Sequence, residues 1–174
     1  DNDPSYIGPV IVKTDSQNNV YYIWAKGQGS SKTSIMYRYF NYSTQKWGTP
    51  SNLSSGKPDN SQDYEPDCYV YNNKVYITWT RLEGTSNRNI IFAIVQGTNI
   101  LYAATDISRN NMEYSPHIQI SPSGKILILY NSDGGYFSRI YGHQANFDQT
   151  YFNYNDWTSY LFLESINSQY YYYT

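Results

Sequence analysis

No run of lysine or arginine occurs in this chain, so neither a nucleic-acid backbone nor an anionic membrane surface is an expected partner. Charged residues make up only 15% and the formal net charge is -2. With 40% hydrophobic residues over 174 positions, the chain can bury a real core, so disorder is excluded as well. Cysteine is almost absent. Cys68 stands alone in an apolar setting, which rules out an intrachain disulfide and suits a buried small residue. No apolar run reaches transmembrane length, so membrane insertion is not expected. No helical periodicity of useful length appears, apart from a possible turn near Asp106 to Asn110. No signal-peptide pattern is present and the chain opens at Asp1, so a leading segment is expected to have been removed.

Tyrosine, by contrast, is abundant, at 22 residues. Asn, Ser and Thr are plentiful too. Tyrosine suits strands and half-wet surfaces because it joins apolar area to a polar tip. The mixture points to an extracellular or cell-surface β-protein. Two glycosylation sequons agree with that location, at Asn41-Tyr-Ser43 and Asn52-Leu-Ser54.

One order of parts occurs three times. A proline opens a short apolar segment at Pro9, Pro66 and Pro116. A second segment closes on an aromatic residue at Trp24, Trp79 and Tyr130. A third segment follows, over 34–40, 89–95 and 137–141. The prolines are 57 and 50 residues apart and the closing aromatics 55 and 51. Four strand-like segments in a repeat of about 50 residues form the pattern of a β-propeller blade. The second segments carry apolar residues on both faces, as expected of strands covered on both faces. Turn signals separate the segments, among them Asp15 to Asn19, Asn72-Asn73, Ser121 to Gly124 and Gln96 to Asn99. The expected organisation is one all-β domain over 1–174. Its repeats lie at about 9–62, 63–113 and 114–164, and a strand-like tail follows at 165–174. Trp24 and Trp79 are expected in the core between blades, and Trp47 against an outer strand.

The order Pro, short strand, Val-Tyr-x-x-Trp, Ile-x-Tyr, Trp-x-x-Pro resembles the sialidase-like superfamily of β-propeller repeats, in degenerate form. Ile35 to Tyr39, Trp47 to Pro50, Asn52 to Ser54 and Glu65-Pro66 carry the likeness best, and it covers most of residues 9 to 145. It implies four-stranded propeller blades. The family's Asp-box has only a partial echo in Ser132-Asp-Gly-Gly135, at a different turn of the repeat. The family clamps a carboxylate with three arginines, but Arg38 and Arg139 fall within third strands, and Arg81, Arg88 and Arg109 lack the family context. No catalytic residue is carried over. Three blades do not close a ring, because known propellers use four or more. The chain is therefore part of a larger one, or pairs as three plus three, or forms another all-β body such as a β-sandwich.

By the resemblance, two loops per blade face a ligand. One leads into the first strand and the other joins the second strand to the third. These loops carry Ser5, Tyr6, Tyr64, Glu65, Glu113 and Tyr114, together with Lys26, Arg81, Glu83 and Asp133. The ligand-binding candidates are Tyr64, Glu65, Arg81, Glu113, Tyr114 and Asp133. Rings there would stack on sugar faces and carboxylates would accept hydrogen bonds from hydroxyls; the plain alternative is a solvated rim. Trp157 is a further candidate for an exposed aromatic. His117 and His143 have no ligand-spaced neighbours, so no metal and no other cofactor is expected. Glu65 and Glu113 would have to serve as the carboxylate pair of a glycosidase, and no catalytic motif surrounds them. The expected function is non-catalytic, extracellular binding of a glycan or surface protein, with self-association. The alternatives are a structural subunit of a surface layer or filament, assembled by strand addition at 1–8 or 168–174, and a sialidase-like glycosidase fragment.

Overall fold

Short turns join the strands, so each strand pairs with its neighbour in sequence. Asn72 and Asn73 both adopt positive φ (49° and 56°), the mirror-image turn whose twist matches the strands it joins. At the first turn the Asp15 carboxylate accepts hydrogen bonds from the Gln17 and Asn19 amides at 2.9 and 3.0 Å. Gly97 supplies the positive φ (59°) of another turn, and its N–H donates to the Tyr21 hydroxyl at 2.9 Å. The computed structural model describes residues 7–27, 32–107, 112–133, 138–146 and 158–165, with side chains described between residues 8 and 132.

Three antiparallel sheets result. The first contains β1 (Ile7–Thr14), β2 (Val20–Gly27), β3 (Thr33–Asn41) and β4 (Lys46–Trp47), with β5 (Ser51–Asn52) also paired to β3. The middle sheet runs β6 (Ser61–Tyr71), β7 (Lys74–Glu83), β8 (Asn87–Gln96), β9 (Asn99–Asp106). The third runs β10 (Glu113–Ile120), β11 (Lys125–Asp133), β12 (Ser138–Asn146), β13 (Thr158–Ser165). Every described element is a strand. The strand-like tail and Trp157 lie outside the described residues.

The sheets stack face to face. Tyr21, Ile23, Ile35 and Tyr37 of the first sheet pack against Cys68, Val75, Ile77, Trp79, Ile91 and Val95 of the middle one. On its opposite face, Tyr76, Ile90, Phe92 and Ile94 of the middle sheet pack against Ile118, Ile120, Ile126, Ile128 and Tyr130 of the third. The middle sheet is thus core on both faces, as its unbroken apolar run requires. Two stacked sheets would make a sandwich; three, with the middle one covered twice, are successive blades.

Trp24 departs from expectation. Trp79 is fully buried between two sheets. Trp24 points the other way from Ile23 and Ala25, is half-buried, and stacks on Tyr22 (ring centroids 5.2 Å apart). Among the described residues no sheet covers that face. Trp47 meets Phe40 across β3 and β4 (5.1 Å) and remains 46% exposed.

Candidate functional site

The repeated prolines mark a break in the first strand of each sheet. The register skips Gly8-Pro9 between Ile7 and Val10, Glu65-Pro66 between Tyr64 and Asp67, and Ser115-Pro116 between Tyr114 and His117. Proline has no N–H for the ladder, so a bulge is where a strand tolerates it. Glu65 and Ser115 hold φ of 53° and 52° just before their prolines, a left-handed conformation that is rare outside glycine. Positive φ here re-aims the side chains at the entry of the first strands.

These two bulges meet at the seam between the middle and third sheets. Glu65 Oε2 accepts hydrogen bonds from the Ser115 amide (3.1 Å), the Ser115 hydroxyl (3.2 Å) and the Thr80 hydroxyl (3.2 Å). The Ser115 amide also reaches Thr80 Oγ1 at 3.1 Å. Two residues along, Asp67 Oδ2 accepts from the Ile118 amide at 2.9 Å and lies 3.5 Å from His117 Nδ1. The seam is therefore stitched by polar bonds on its first strands and by apolar packing behind them.

At the same end, Arg88 of β8 touches both candidate tyrosines. It hydrogen-bonds the Tyr64 side chain, and its guanidinium lies 5.7 Å from the Tyr114 ring centroid. Burial raises the Tyr64 phenol above the usual tyrosine range, and the Arg88 charge pulls it back. Tyr64 and Tyr114 are half-buried and Glu65 is exposed, so a ligand can reach all three.

The seam between the first and middle sheets is different. Arg81 and Asp63 face each other across β7 and β6 in a two-point ion pair, Nε to Oδ1 at 2.8 Å and Nη2 to Oδ2 at 3.0 Å. Both are buried, and Asp63 is wholly so. Lys57 lies near them and donates to the Thr33 carbonyl. Burial pushes its ammonium below the usual lysine range, Asp63 opposes this, and Arg81 adds to it.

The candidate residues therefore divide. Tyr64, Glu65, Tyr114 and the overlooked Arg88 converge on one seam. Arg81 sits at the other, committed to Asp63. Tyr64, Glu65, Arg81, Glu113 and Tyr114 all lie in strands rather than in loops, and Glu113 has 0% exposure. Counting from the bulges, its counterpart is Asp63, whereas the counterpart of Glu65 is Ser115. Glu65 and Glu113 are thus not equivalent positions in two blades. Lys26 and Glu83 close β2 and β7, and Asp133 is the last residue of β11, with its side chain outside the described residues, as are Ser5, Tyr6 and Arg109. Asn41 accepts hydrogen bonds from the Ser43 hydroxyl and Thr44 amide at 2.7 and 3.1 Å. Asn52 accepts from the Ser54 amide at 2.8 Å, while the buried Ser54 hydroxyl is occupied by the Ile35 amide. Among the described residues no cluster of three metal-ligating side chains forms.

Comparison with solved structures decides the architecture. The chain is similar to an α-L-arabinofuranosidase from Lactobacillus brevis (TM-score 0.60, 10% identity, 88% of this chain and 54% of that one). It is also similar to a thermostable family-43 glycoside hydrolase (0.56, 10%, 94% and 60%) and to the GH93 α-L-arabinofuranosidase of Fusarium graminearum in complex with arabinobiose (0.56, 11%, 90% and 48%). The fold is that of β-propeller blades. The chain spans about half the length of these structures. At such identity the likeness concerns fold alone. No family model and no curated protein matches the chain. In propeller terms, the β6 to β9 and β10 to β13 sheets are neighbouring blades, and the Tyr64, Arg88, Tyr114 group lies near the starts of their first strands and of the third strand β8.

Proposed function

We propose that this chain is an extracellular glycan-binding module that acts without catalysis. The observation carrying the reading is Arg88 joined to both Tyr64 and Tyr114 across the seam of two blades, beside the exposed Glu65. Two rings, a guanidinium and a carboxylate around one spot suit a neutral sugar, which offers apolar ring faces and hydroxyls together. The likeness to propellers that act on arabinose-containing substrates supports a pentose-bearing polysaccharide as the first ligand to try. The propeller-like fold contributes architecture to this reading, and the resemblance to sialidase-like repeats lends it no catalytic residue.

A glycosidase fragment is the weaker reading. Hydrolysis needs two carboxyl groups flanking the scissile bond. Asp63 is locked to Arg81, Glu113 is fully buried, and Glu65 already accepts three hydrogen bonds.

Titration with arabinan oligosaccharides and a glycan array tests both readings. Saturable binding without turnover is expected, weakened about fivefold by Tyr64→Ala or Tyr114→Ala, since a stacking ring contributes about 1 kcal/mol. Turnover abolished by Glu65→Gln would establish the enzymatic reading instead. Binding that ignores both tyrosine variants would remove the site.

A further inference from the structure

The face of the first sheet that no described sheet covers repeats, position for position, a face that is core elsewhere. In the middle sheet the side turned to the preceding blade carries Cys68, Ile77, Trp79 and Ile91, where Cys68 pairs with Ile77 and Trp79 with Ile91. In the first sheet, Val12 pairs with Tyr22 and Trp24 with Met36 in the same arrangement. Phe40 and Trp47 extend the patch, and Arg38 lies over the Trp47 ring at 5.2 Å with its Nε donating to the Gly48 carbonyl. Val12 is 55% exposed and Val10 42%. A surface valine or two is ordinary, but a whole blade face of this composition is a binding surface.

We infer that this face is covered by the third sheet of a second copy of the chain, the two copies closing one six-bladed ring. Continuity is the first argument. The first sheet already stacks on the middle one and the middle on the third, so the same kind of contact continues the series. The far side of the third sheet carries the exposed His117 and Gln119 with Leu129 and Leu127 as their cross-strand partners, the two leucines half-buried. Symmetry is the second. A two-fold axis along the ring centre sets each first sheet against the partner's third sheet, so both contacts form together and nothing remains open. Area is the third. Three strands about 4.8 Å apart and about eight residues long, with the two-residue β4 and β5, cover on the order of 400 Å². Two such contacts bury on the order of 800 Å² per copy, about that of a standard stable interface. Closing the ring would also bring two copies of the Tyr64, Arg88, Tyr114 site to the same end, which adds avidity for a repetitive polysaccharide.

Light scattering and sedimentation across a concentration series test the pairing on the full chain. The expected result is a discrete species of twice 20.2 kDa. Val12→Lys and Trp24→Glu should each weaken it at least tenfold while leaving the far-ultraviolet circular dichroism unchanged. Val12 is so exposed that its replacement leaves the fold intact, which keeps the test valid even if Trp24→Glu perturbs the sheet. A monomer at all concentrations overturns the proposal. So does a growing polymer, and so does a dimer indifferent to both variants. Glycan binding by a monomeric variant would leave the functional reading standing while the pairing is judged separately.

Discussion

The middle blade and the first blade have the same strand order and comparable residues, yet one is core on both faces and the other on one. Trp79 and Trp24 show the difference most sharply. Each sits just past the middle of a second strand, on corresponding faces of the two sheets. Trp79 has a sheet over it and is fully buried; Trp24 leans on Tyr22 and is half-buried. A side chain's contribution is set by what the neighbouring element brings, and local pattern does not specify that.

The strongest way to break this comparison is to delete both rings. Trp79→Ala should cost about 3–5 kcal/mol, the usual loss for a large aromatic in a core. Trp24→Ala should cost about 1 kcal/mol or less in dilute protein. Denaturant unfolding of both variants measures the contrast, and equal losses would mean that the first blade is covered even when dilute.

Next in size is the ion pair at the seam between the first and middle sheets. Asp63→Ala leaves the Arg81 charge buried without its partner and should cost about 3 kcal/mol. Replacing both at once, as Asp63→Leu with Arg81→Met, should recover most of that, because the buried charge is then gone. A double variant no better than the single would show that Arg81 has a further role at the entry of the blade.

The other seam is held by a strained residue, which gives a smaller and more specific signal. Glu65 keeps a positive φ and three hydrogen-bond donors. Glu65→Ala loses the bonds and keeps the strain. Glu65→Gly loses the bonds and relieves it, and should therefore be about 1 kcal/mol more stable than the alanine variant. If the two variants unfold alike, the bulge relaxes once the carboxylate is gone.

These contrasts also show what the sequence could and could not carry. Strands apolar on both faces announced a sheet covered twice, and the middle sheet is that sheet. Asn72-Asn73 announced a short turn between first and second strands. Repeated prolines announced the start of each repeat, but their physical meaning, a bulge in the ladder, needed the register. Glu65 and Glu113 look like partners, since each is an acid near the start of a first strand, yet the 50-residue spacing of Pro66 and Pro116 already gives Glu113 the position of Asp63, as the register does. Arg88 gave no signal of its own: a lone arginine after a turn becomes informative only once the third sheet brings Tyr114 beside it.

The smallest effect lies at the bottom of the doubly covered blade. Cys68 is buried between the first and middle sheets, and burial pushes its thiol up to about 12, with nearby Lys13 opposing and Asp67 adding to the shift. Thiolate is the reactive form, so a disulfide reagent should leave native Cys68 untouched at pH 8 and modify it only as fast as the chain opens. The linkage has a definite sign. The folded thiol and the buried Tyr21 and Tyr76 phenols, also raised to about 12, hold their protons where the unfolded groups, near 9.0 and 10.0, have lost them. Folded protein then binds more protons than unfolded, so stability is fully present below about pH 9 and declines as pH rises toward 12. Denaturant midpoints measured from pH 8 to 11 should fall, and Cys68→Ala should delay the onset of that fall to the tyrosine range. A flat profile would mean that water reaches these groups through the seam, in which case the first blade packs on the middle one less tightly than the middle packs on the third.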